Sequence, residues 1–258
     1  MKRLIAAGLL AATITAVNAN AQGNSDNGCK DLPSYAQLQT ALKTARSQAN
    51  GGFGLDMWGT IVDRDGTVCA VAFTGTNRGD QWPGSRAISA QKANTANAFS
   101  LPGLALSTAN LYSAVQPGGS LYGLQHSNVV NPTVAYKGPA SNFGQQNDPM
   151  VGEHPGGVNV FGGGLALYDQ NRKLLGAIGV SGDSSCADHN IAWRTRRLLN
   201  LDYVPAGVSP DTDRKDNIVF DITYPSGPVP EGVSVSGWGH PKCSQAAADI
   251  AAGLLPTR

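Results

Sequence analysis

The stretch from Gly156 to Trp193, GGVNVFGGGLALYDQNRKLLGAIGVSGDSSCADHNIAW, constrains the fold more than any other part of the chain. It reads as a glycine-rich strand from Val158 to Tyr168, a polar turn at Asp169-Gln170-Asn171, a second strand from Lys173 to Val180, and a helix from Cys186 to Asn200. Strands joined by so short a turn pair antiparallel, and a helix entered directly afterwards must fold back onto a sheet face. The intervening loop sets Asp183, Cys186, Asp188 and His189 within seven positions at that helix's start. Free backbone N–H groups and the positive end of the helix dipole make such a place suitable for an anion.

The same arrangement recurs upstream. Ser34 to Asn50 reads as a helix, with Leu38, Ala41, Leu42, Ala45 and Ala49 at helical spacing, a capping-box pair at Ser34 and Gln37, and Gly51-Gly52 as its stop. Met57 to Val62 and Thr67 to Phe73 form a hairpin about Arg64-Asp65-Gly66. Ser85 to Phe99 is a second helix whose small alanines allow close contact with a sheet, and Ser107 to Val115 is a short third one. From Gln116 to Pro155 the chain is rich in Gly, Pro, Asn and Ser; loops this long serve as lids or partner-binding segments, or else are poorly ordered insertions. After Leu201 the pattern supports one strand, Asn217 to Thr223, and a helix from Ser244 to Leu255. The expected class is α+β, an antiparallel sheet of about five strands flanked by helices.

Residues 1–21 read as a secretory signal peptide: Lys2 and Arg3, an apolar run from Leu4 to Val17, and Ala19-Asn20-Ala21 as the cleavage motif. No apolar run is long enough to span a membrane. Of the 19 basic residues, 17 lie after position 21, against 18 acidic ones. Without a basic stripe, nucleic acid and anionic membrane surfaces are excluded as expected partners. A periplasmic or secreted protein sits in an oxidising compartment, where four cysteines favour two disulfides. The expected pairs are Cys29 with Cys69, where the returning hairpin approaches the first helix, and Cys186 with Cys243, which pins the tail. A four-cysteine metal site is the rival reading, weakened by the absence of a C-x-x-C pair.

The helix Ser85 to Phe99, the strand Gly156 to Asp169 with its preceding Pro155, and LLGAIGVSGDSSCADHN (Leu174 to Asn190) carry a resemblance to a known family. They resemble the GlcG-like haem-binding (haem-degrading) family, over roughly residues 34–200. That resemblance implies a profilin-like three-layer sandwich, frequent assembly into homo-oligomers, and haem or a related tetrapyrrole as ligand. It sets the domain at 22–200, with an insertion at about 104–154 and a C-terminal extension, 201–258, packed on the same domain. The family's haem-ligating histidine lies near the first helix, whereas no histidine of this chain precedes His126.

Candidate site residues follow from chemistry. On a helix, His189 shares a face with Trp193 and with Arg196 or Arg197. An imidazole can ligate iron, an indole can pack on a porphyrin, and a guanidinium can pair with propionates. The competing explanation is a hydrogen-bonded histidine beside solvated arginines. His154, next to Glu153 and shortly after Met150, is the second candidate metal ligand, or else a plain surface residue. Arg86 and Lys92 can receive ligand carboxylates, though solvent exposure is the ordinary fate of such side chains. Asp183 and Asp188 offer an acid–base pair, but Ser185 with Asp188 also reads as a capping box. Neither G-x-G-x-x-G nor G-x-S-x-G is present. The expected function is exported small-molecule binding with haem as the leading cofactor. The alternatives are an enzyme acting on haem or a small organic acid, and a structural, oligomeric protein without ligand.

Overall fold

A computed structural model describes residues 28–224 and 232–258, so the expected signal peptide lies outside the described residues. Helix α1 (Tyr35–Arg46) starts at Ser34, whose hydroxyl caps the Gln37 amide while the Gln37 side chain returns to the Ser34 amide. Strands β1 (Trp58–Asp63) and β2 (Val68–Phe73) follow, then α2 (Ser85–Ala98). The insertion holds the single-turn helices α3 (Leu124–Ser127) and α4 (Pro132–Ala135) besides short 3₁₀ turns. Strands β3 (Gly164–Tyr168) and β4 (Leu174–Ser181) lead into α5 (Ser185–Leu198). The tail adds β5 (Ile222–Thr223), β6 (Val233–Ser234) and α6 (Gln245–Ala252).

The main sheet is antiparallel with order β2-β1-β4-β3. It has four strands rather than about five, because Asn217 to Thr223 does not join it: only Ile222 and Thr223 are strand, paired with β6 in a separate ribbon. Residues 158–163, read as the start of a strand, are irregular before β3, and the expected helix Ser107 to Val115 is two short 3₁₀ turns.

Both faces of the sheet are buried. Met57, Ile61, Ala70, Leu165, Ile178 and Val180 pack against α1 and α5. Trp58, Val62, Val71, Phe73 and Ala177 pack against the alanines of α2. The result is three layers, with α2 on one face beside Ala135 and Met150 of the insertion. Two glycines explain how closely α2 approaches: a Cβ at Gly179 would sit 2.0 Å from the Ser89 carbonyl, and one at Gly164 2.5 Å from that of Lys92.

The two extra segments cover the two sheet edges. On β2, Val68 exchanges backbone hydrogen bonds with Gly152 (2.8 Å) and Glu153 (2.9 Å), the last residues of the insertion. On β3, the Tyr168 amide donates to Leu201 (2.9 Å), where the tail begins. Unpaired strand edges invite association with other chains, and here one end of each is occupied in cis, at Val68 and at Tyr168. Disulfides join Cys29 to Cys69 and Cys186 to Cys243, the pairing preferred from the sequence.

Candidate functional site

The loop between β4 and α5 is held by its own aspartates. Asp183 accepts hydrogen bonds from the Phe53 (2.9 Å), Leu55 (3.0 Å) and Ser184 (2.6 Å) amides, which locks the loop after α1 in place. The helix cap is Ser184, accepting from Ala187, and not a Ser185–Asp188 box. Asp188 instead accepts from the Asp183 amide (2.9 Å) and from Lys92 Nζ (2.8 Å). Lys92 also donates to the Val180 carbonyl (3.1 Å), so this ion pair lies inside the molecule between α2, β4 and α5. Burial pushes the Asp188 carboxyl up to about 6 despite the attraction of Lys92, and burial pulls the Lys92 ammonium down.

One turn further along α5, His189 is fully buried. Its Nε2 lies 3.0 Å from Asn217 Oδ1 and 3.2 Å from the Ile218 amide nitrogen, and its Nδ1 has no partner among the described residues. In the tautomer that donates from Nε2 to Asn217, the Ile218 amide gives its hydrogen to Asn217 Oδ1 (2.9 Å) and not to the ring, so only a lone pair is left unpaired at Nδ1, which costs less than an orphaned N–H. Burial lowers its pKa to about 4, with Asp216 opposing and Arg196 and His240 reinforcing the shift. The ring sits 6.0 Å from that of Trp193, over which Arg196 places its guanidinium at 4.7 Å. The expected imidazole–indole–guanidinium face therefore exists, with Arg196 as its third member.

That face is already filled by the tail. Arg196 makes two hydrogen bonds to Asp216 (2.5 and 2.8 Å) and one to the Ala166 carbonyl (3.1 Å). Trp193 Nε1 donates to the Leu255 carbonyl (3.0 Å). Arg197 lies half-buried on Asp202 (2.7 Å) and the Pro256 carbonyl (2.7 Å). Trp193 and Arg197 do border a cleft between α5, Gln48 and the segment Gly253 to Leu255 that follows α6, but its volume of ≈ 250 Å³ is below the usual range for drug-sized ligands.

The remaining candidates lie apart from this face. Arg86, on α2, is buried in a bidentate pair with Asp148 of the insertion, bonds the Ala135 carbonyl, and covers the Phe143 ring at 3.8 Å. Met150 is fully buried. His154 is exposed, with Nε2 3.2 Å from Thr67 Oγ1, beside the Lys137–Glu153 ion pair. Asp148 and Asp216 escaped the sequence reading, since each lies in a segment without periodicity, and Asn217 reads only as the start of a strand.

A family model described as haem-degrading protein, HbpS-like, matches residues 34–196. The chain belongs to this family. Among solved structures, it is similar to the protein ORFY of Klebsiella pneumoniae (25% identity, TM-score 0.44), covering 65% of this chain and 90% of that one. It is also similar to PduOC solved as a haem complex (24% identity, TM-score 0.44), covering 65% and 93%. A third similar structure is HbpS (17% identity, TM-score 0.38), covering 64% and 86%. No curated protein matches the chain.

Proposed function

We propose that the protein is an exported binder of haem or a related tetrapyrrole and that His154, not His189, supplies its axial imidazole. Membership of a haem-related family carries the ligand class. The residues present decide where it could sit. Of the four histidines, His189 and His240 are buried among protein partners, while His126 and His154 are exposed. His154 stands at the end of the insertion against β2, with Lys137 close by to meet a propionate. Ligation by His189 would require the tail to leave α5. Two disulfides support export to an oxidising compartment, as does the signal-like sequence of residues 1–21.

The test is a hemin titration of the mature, disulfide-intact protein, followed by the Soret band. Saturation near one equivalent is expected, lost in His154→Ala and retained in His189→Ala. Loss in His189→Ala alone would move the site beneath the tail, and no saturable shift in any form would remove haem as the ligand. The family's description also names degradation. Bleaching of the bound Soret band on adding a reductant in air would make the protein an enzyme, and a stable band would leave it a carrier.

A further inference from the structure

The Cys186–Cys243 disulfide has an unusual neighbour. A ring nitrogen of His240 and both sulfurs lie within 4.8 Å of one another. His240 is 2% exposed, and its Nε2 has no partner among the described residues, while Nδ1 contacts the Pro241 carbonyl at 2.7 Å. Each sulfur also faces a backbone donor: the Cys186 amide donates to Cys243 Sγ (3.2 Å), and the Cys243 amide to Cys186 Sγ (3.2 Å). Ser185 Oγ is 3.4 Å from Cys243 Sγ. Cys186 lies in the first turn of a 14-residue helix. Reciprocal N–H donors and a helix N-terminus do little for a neutral disulfide but stabilise sulfur that carries negative charge.

We propose that this disulfide is the closed form of a Cys₂His site for a thiophilic cation of the Zn²⁺ class, opened by a dithiol reductant. Cys243 is exposed and Cys186 buried, which sets the order of events. A thiolate of the reductant attacks Cys243 Sγ, the S–S bond breaks, and its electron pair leaves on Cys186 Sγ, at the helix start. The reductant's second thiol loses its proton to solvent and attacks the mixed disulfide, releasing Cys243 Sγ with the other electron pair. The protein gains two electrons, and the dithiol becomes a cyclic disulfide. Any proton taken up by either sulfur returns to solvent when the cation binds.

The geometry requires a small movement. Donors 2.0–2.3 Å from a tetrahedral cation lie roughly 3.5 Å from one another. Cys186 is fixed on α5, while Cys243 and His240 share the short segment His240-Pro241-Lys242-Cys243 and can adjust together. The other cysteine pair makes a poorer site: its third donor, Asp63, already accepts from the Asp65 (3.0 Å) and Thr67 (2.9 Å) amides.

Co²⁺ serves as a spectroscopic probe, in the absence of oxygen, on protein carrying Cys29→Ser and Cys69→Ser. After dithiol treatment and removal of the reductant, one equivalent should give thiolate-to-cobalt charge transfer, displaced by Zn²⁺. The oxidised protein should give none. Cys243→Ser should abolish the band, and His240→Ala should weaken binding by at least about tenfold. If the Cys29/Cys69 variant does not fold, reduced wild type is compared with Cys186→Ser/Cys243→Ser, and the difference is the site's signal. No band on reduction, a band indifferent to His240, or a fold lost on reduction that Zn²⁺ does not restore would each overturn the proposal.

Discussion

The insertion and the tail use one device on opposite faces of the sheet, and they differ in how firmly it is backed. Each offers a buried aspartate to an arginine of a core helix: Asp148 to Arg86 of α2, and Asp216 to Arg196 of α5. Each covers one edge of the sheet. The insertion adds a cation–π contact from Phe143 and backbone hydrogen bonds at Val68, all non-covalent. The tail adds the His189–Asn217 contact and a disulfide. The arginines that look most like ligand receptors are thus neutralised by the segments appended to the domain. A buried guanidinium needs a counter-charge, and here the chain provides it in cis.

Cutting those ion pairs is the sharpest way to break the comparison. Asp216→Ala orphans a buried Arg196 and should cost about 3–5 kcal/mol, read as a lowered denaturant midpoint. Asp148→Ala removes the partner of Arg86 and also the acceptor for the Gly144 (2.6 Å) and Met150 (2.8 Å) amides. Its damage should be local, with proteolysis inside residues 116–150 preceding loss of the core. If Asp148→Ala instead melts the whole domain with no early cleavage, the insertion is as integral as the tail. The covalent difference comes next. Cys186→Ser/Cys243→Ser opens a closure of sequence separation 57 and should cost about 4 kcal/mol by loop entropy. A cost near zero would mean that the non-covalent contacts alone hold the tail.

Local patterns announce much of this fold. The Ser34–Gln37 cap, the spacing of α1 and α5, both hairpins and the small face of α2 each show within a few residues of sequence. The His189–Trp193–Arg196 face is legible for the same reason, since i, i+4 and i+7 is a local relation. What fills that face is not legible. Asp216 and Asn217 lie 20 and 28 residues from their partners, and Asp148 lies 62 from Arg86, too far for any local pattern to connect them. Burial inverts the meaning of these residues: an arginine, a lysine and a histidine that read as ligand groups become internal supports once another segment closes over them.

Acid should separate the two sides, because the tail closes over His189 of α5. Folded His189 has a pKa lowered from 6.5 to about 4, so the unfolded chain takes up its proton first. The stability it protects is complete above about pH 6.5, falls as the pH drops toward 4, and totals roughly 3 kcal/mol. Asp188, raised from 3.8 to about 6, contributes the opposite slope in much of the same window. The useful quantity is therefore the difference between wild type and His189→Gln, followed by denaturant titration from pH 7 to 4. The variant should lose less stability than wild type over that range. Equal losses would assign the acid sensitivity elsewhere.

The smallest effect sharpens the insertion's side. Phe143→Leu keeps an apolar side chain against Arg86 but removes the π face at 3.8 Å, and should cost about 1 kcal/mol. Because the bidentate pair with Asp148 survives, the loss should appear as faster cleavage of the insertion and leave the core's midpoint nearly unchanged. Measured in the Asp148→Ala background, the same substitution should cost more. A guanidinium stripped of its carboxylate leans harder on the remaining aromatic face, and the two neighbouring contacts are coupled. Additive costs would mean that Phe143 acts only as apolar filler, and that the arginine's charge on this side is answered by Asp148 alone.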